Sequence, residues 1–139
     1  LMADEATLFI ETEHPIDFTV ADATAIAKGA TLQLNDPLTA IAPTATSAMV
    51  AGIAAAEKIA SDGVTKLAVY RGGIFRMTAS GTITAGDPVG LVIGSNRVVS
   101  NVGSLTLSGS RVLGTSFESA TNGQTFYVEL RPNVAYVAV

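Results

Sequence analysis

The chain lacks cysteine and tryptophan and has a single histidine among its 139 residues. Without cysteine there is no disulfide, no thiol nucleophile and no Cys-based zinc or iron–sulfur site, and the redox compartment leaves no mark on the sequence. The lone imidazole, His14, sits between Glu13 and Pro15 with no second His to recruit into a triad or metal cluster, so it reads as a solvated or interface side chain. Charge is scarce as well: 14% of residues are charged, against about 25% in an average globular protein. There is no run of about 18 apolar residues, which excludes a transmembrane helix. The opening Leu1, Met2, Ala3, Asp4 and Glu5 has neither the basic start nor the apolar stretch of a secretory signal, as expected of synthesis in the cytosol.

The cations that exist are scattered, and the pI of about 4.8 gives no basic footprint for DNA or RNA. Acidic residues are concentrated instead. Asp4, Glu5, Glu11, Glu13, Asp17 and Asp22 all precede the first basic residue, Lys28. Residues 1–20 therefore read as an extended acidic arm carrying one apolar cluster, Leu8, Phe9 and Ile10. Such an arm either is tied down by a neighbouring subunit or forms an edge strand of its own domain. The rest of the chain, 21–139, is long enough for one domain with its own core. With so few charges its exterior is expected to be covered by partners or by copies of itself.

The chain also repeats itself. Gly63, Thr65 and Arg71 recur as Gly123, Thr125 and Arg131 at a constant offset of 60. Upstream, Ile26 and Gly29 match Ile83 and Gly86 at offset 57, and Val50 and Gly52 match Val112 and Gly114 at offset 62. Changes in loop length account for the differences. The repeat implies two half-units, approximately 24–78 and 81–132, in an all-β fold: a small barrel or sandwich. Short strands at regular spacing fit that reading: 64–70, 74–78, 89–93, a hairpin through Gly94, Ser95 and Asn96 onto 97–100, then 105–107, 111–117, 126–130 and 134–139. In the strand 126–130, Phe126, Val128 and Leu130 share one face. The Ala-rich stretch 44–60 has helical propensity, but its counterpart from Val112 to Gly123 is full of Gly, Thr and Ser, so a strand over 49–55 followed by a loop is expected.

Residues that could carry chemistry have simpler roles. Glu11, Glu13 and Asp17 lack the spacing of a calcium loop. Gly72 and Gly73, and Gly81 through Gly86, Asp87 and Pro88, lack the Lys-Ser/Thr of a phosphate-binding loop and read as turns. Asp62, Asp87, Glu118 and Glu129 show no pairing for glycoside hydrolysis. The duplicated Arg71 and Arg131 could clamp a carboxylate, or pair with nearby acids at an interface. No catalytic residue, metal ligand or cofactor site emerges.

Ile83 through Val89, the turn at Gly94 to Asn96, Arg111 through Thr115, Asn122-Gly123 and Phe126 through Pro132 together resemble the small capsid decoration, or cement, proteins of tailed viruses. That resemblance implies a β-barrel-like or tulip-shaped domain and a non-enzymatic structural protein, commonly a homotrimer, synthesised in a host cytoplasm and placed on the exterior of a virion, bridging neighbouring major capsid protein subunits. The long acidic N-terminus departs from the pattern. Leu8, Phe9, Ile10, Glu11, Glu13, Arg71 and Arg131 are its candidate contacts with the capsid or a neighbouring copy. A receptor-binding or fibre-base role in the same virion fits the same features. The Ile26–Gly29 and Ile83–Gly86 segments also resemble β-clip domains, which implies instead a ligand-binding or enzyme-accessory domain holding a small acidic molecule on Arg71, Arg131 or both.

Overall fold

A computed structural model of the chain describes residues 3–44, 49–101 and 112–133. The strands expected at 105–107 and 134–139, and the first residue of that at 111–117, lie outside the described residues. Eleven strands, with no helix among the described residues, make two sheets. They are Thr7–Ile10 (β1), Ile16–Thr19 (β2), Thr31–Asn35 (β3), Thr39–Ile41 (β4), Val50–Ala54 (β5), Lys66–Tyr70 (β6), Gly73–Thr78 (β7), Pro88–Leu91 (β8), Val98–Ser100 (β9), Gly114–Ser116 (β10) and Thr125–Leu130 (β11). One sheet is a closed barrel in the order β2-β4-β3-β5-β6; the other runs β1-β7-β11-β10-β8-β9.

The repeat is visible in the topology. Without β1, the second sheet has the barrel's strand order with every strand five places further along the chain. The parallel pairing that closes the barrel, Thr19 with Thr39, is echoed by a parallel bridge between Ala79 and Val98. The sequence offsets reappear as hydrogen bonds. Gly29 N–H donates to Ala54 O and Gly86 N–H to Ser116 O, each at 2.9 Å. The Ile26–Lys58 bridge corresponds to Ile83–Ala120, and the pair Leu32–Gly52 to Val89–Gly114. Gly52 and Gly114 recur because a Cβ at either would collide with a cross-strand carbonyl oxygen, that of Tyr70 or of Glu129. In this correspondence β7 takes the place of β2, so the repeating units are β2–β6 and β7–β11, shifted from the bounds expected from sequence.

Two cores result. Phe18, Val20, Leu32, Leu67 and Val69 fill the barrel, and Phe75, Met77, Leu91, Leu113, Phe126 and Val128 fill the second unit. Strand β5 is buried along its whole length and serves both: Ala51 and Ala54 face the barrel core, while Val50 and Ile53 belong to the other. This is why the Ala-rich segment is a strand. A position between two hydrophobic layers outweighs helical propensity, and small side chains suit a five-stranded interior.

Asparagines fasten the units together. Asn96 Oδ1 accepts from Thr31 N–H and Oγ1, while its Nδ2 donates to Asp4 O and Gly29 O. Asn133 pairs like a strand residue, accepting from Val50 N–H and donating to Val50 O at 2.8 Å each. The acidic segment expected as an arm is held in both sheets by its strands: β1 lies along β7 at a sheet edge, and β2 is a barrel strand against β6 and β4. Of the two fates open to it, β1 takes the edge strand of its own fold.

Candidate functional site

Strand β1 presents its apolar residues unusually. A regular strand would turn Leu8 and Ile10 to one side, but the register with β7 shifts between them. This bulge leaves Leu8 packed against the core of the second unit, while Phe9 and Ile10 both stay in solvent, 58% and 46% exposed. The Phe9 ring rests on Tyr127, with centroids 4.6 Å apart. Glu11, Glu13 and Asp17 are exposed, as is Ile16. His14 Nδ1 lies 3.4 Å from Glu11 Oε1 in full solvent. The outcome is a mixed apolar and acidic surface on a strand whose outer edge has no neighbour among the described strands.

Arg71 and Arg131 line one depression of about 630 Å³, together with Glu13, Gly72, Gly73 and Glu129. They do different work there. Arg71 Nη1 donates to Val50 O at 3.1 Å and Ala51 O at 2.9 Å, bracing the shared strand β5. Its burial pushes the guanidinium pKa down, and the Glu13 carboxylate partly offsets that. Arg131 forks onto Glu129, with Nε 3.1 Å from Oε1 and Nη2 3.4 Å from Oε2. Two guanidiniums thus face two carboxylates, a balanced rim with no surplus positive charge to draw in an anion. The sequence candidates Glu13, Arg71 and Arg131 are brought together here; Leu8, Phe9 and Ile10 are on the neighbouring strand.

One ionic group escaped sequence reasoning. Lys58 is buried, with a side chain 0% exposed. Its Nζ donates to Asp22 O at 2.9 Å, Ile59 O at 2.6 Å and Asp62 Oδ1 at 2.7 Å, which uses all three ammonium protons. The Lys58 hydrogen bond, then that of Val64 N–H, hold the Asp62 carboxyl below its ordinary range. The repeat held the signal, since offset 62 sets Lys58 opposite Ala120, a core residue. Among the described residues no three His, Cys, Asp or Glu side chains converge into a metal-holding group.

Curated proteins offer no match to this sequence. The fold is similar to that of the head fiber gp8.5 N base in bacteriophage phi29, with a TM-score of 0.52 and 18% identity, over 87% of this chain and 98% of that one. The family profile described as phage cement protein matches residues 10–132. With that match spanning both repeated units and most of the acidic segment, the chain belongs to the phage cement protein family, a family of capsid-associated structural proteins.

Proposed function

We propose that this protein docks on the outside of a viral capsid and holds neighbouring major capsid protein subunits together. The observation that carries this beyond the family is the β1 surface: Phe9 and Ile10 held outward by a bulge and flanked by Glu11, Glu13 and Asp17. An open strand edge with apolar anchors suits β-strand addition by a shell subunit or a neighbouring copy, and the acids suit a basic partner. Arg71 and Arg131 lie at the rim of this contact. Each copy contributes modestly, and many copies per shell supply the strength. Self-association into a trimer belongs to the same reading; a purified chain that scatters light as a monomer at micromolar concentration contradicts that part.

Co-sedimentation of the purified chain with undecorated shells, across a salt series, tests the surface. Binding weakens as salt rises, and Phe9→Ser combined with Ile10→Ser lowers occupancy while the fold persists. Unchanged occupancy of that variant removes β1 from the contact. A second reading, a base for a head fiber, is supported by the fold shared with the phi29 protein; a reconstruction showing a projecting fibre on the bound chain would favour it over a cement role.

A further inference from the structure

The two units act as controls for each other at the loop before their last strand. In the second unit the residues at this place are Ala79 and Ala120, both in the core. Thr121 and Gln124 close the loop on itself, Thr121 N–H donating to Gln124 Oε1 at 2.9 Å. At the same places, by offsets 57 and 62, the first unit has Asp22 and Lys58, and its path from Lys58 to Gly63 is two residues longer than that from Ala120 to Gly123. The longer loop is braced from inside. Besides the three Lys58 bonds, Gly63 N–H donates to Asp22 Oδ1 at 2.7 Å and Val64 N–H to Asp62 Oδ1 at 3.0 Å.

This loop presents two apolar side chains outward. Ile59 is 63% exposed and Val64 44%, where the second unit has Thr121 and Gln124. Burying an ammonium costs desolvation that an alanine pair avoids, so folding alone gives no reason to prefer the charged version. A rigid scaffold under exposed apolar anchors has a reason if the anchors meet a partner, because preordering lowers the entropy cost of binding. The carboxylates of this loop and its support, Asp22, Glu57 and Asp62, are at least partly exposed, while the Lys58 ammonium is buried.

We infer that loop 57–65 is a second docking surface, seating Ile59 and Val64 in an apolar depression of a shell subunit rimmed by Lys or Arg. The inference rests on the capsid reading and deepens it, since a copy that bridges two subunits needs two separate contacts and β1 supplies only one. Charge complementarity selects the basic rim.

The test uses the full chain and undecorated shells. Wild type is compared with Ile59→Asp plus Val64→Asp, and with Thr121→Asp plus Gln124→Asp at the equivalent loop. The first pair raises the apparent Kd about tenfold or more, and the second leaves it unchanged. If the wild type binds and the first pair binds equally well, or both pairs weaken binding alike, the loop is not the contact and the inference falls while the capsid reading stands. A wild-type chain that leaves the shells bare overturns that reading and the inference with it. Loss of a self-assembled state in the first pair, seen by light scattering without shells, would make the loop a contact between copies and likewise overturn it.

Discussion

Asn96 shows what one residue contributes to this fold. Its amide is almost wholly buried and makes four hydrogen bonds that tie the second unit's hairpin turn to Thr31, Gly29 and Asp4. Asn96→Ala takes this partner from Thr31 N–H and Asp4 O, and one of two donors from Gly29 O, which keeps Ala6 N–H; it lowers stability by about 2–4 kcal/mol, read from urea unfolding. A loss under about 0.5 kcal/mol would mean that the joint is not formed. Asp62 gives a prediction in pH. Folding lowers its carboxyl pKa, so the unfolded chain takes up the proton at higher pH than the folded one. Its stabilisation is therefore complete above the unfolded value of about 3.9 and is lost as pH falls through the lower folded value. Asp62→Asn should flatten this part of the acid limb of a stability–pH curve, and an unchanged slope would contradict the pairing. Asn96 and Lys58, the partner of Asp62, do not stand out in the sequence: Asn96 reads as a hairpin turn residue and Lys58 as one of the scattered cations, because burial by another element leaves no local pattern.

At the scale of elements, the glycines that recur in the repeat are ranked by what surrounds them. A Cβ at Gly52 or Gly114 meets cross-strand backbone that cannot move aside, whereas one at Gly63 meets nothing within 4 Å and only its φ of 83° resists. Alanine at Gly52 or Gly114 should cost about 1–3 kcal/mol or more, and at Gly63 about 1 kcal/mol, measured as shifts in urea midpoint. The reverse order would refute the close approach of β5 to β6 and of β10 to β11. The strand with Phe126, Val128 and Leu130 on one face was legible from alternation alone, and its burial follows that pattern. Strand β5 was legible only through its counterpart. The placement of β1 was not, because Leu8, Phe9 and Ile10 form an apolar run without alternation, and a bulge decides which of them faces out.

Across the described residues one five-strand plan is used twice, with β5 buried between two cores and β1 laid along an outer edge. Constant offsets between matching residues make the duplication readable in the sequence alone. A small barrel is expected from that duplication and one sheet closes into one; which sheet closes, and the sharing of β5, depend on long-range pairing that no sequence window records. The candidate contacts were readable as types: apolar anchors among acids at the N-terminus, and duplicated arginines. That Arg71 braces β5 and Arg131 is held by Glu129 required their neighbours in space. In its proposed role this chain fits against a capsid and joins its subunits. A reconstruction of undecorated shells mixed with a saturating amount of the purified chain tests it most directly. The expected result is density on the outer surface touching at least two subunits, with Phe9 and Ile10 of β1 in contact; bare shells, or density seated on a single subunit with β1 facing solvent, would overturn the proposed role.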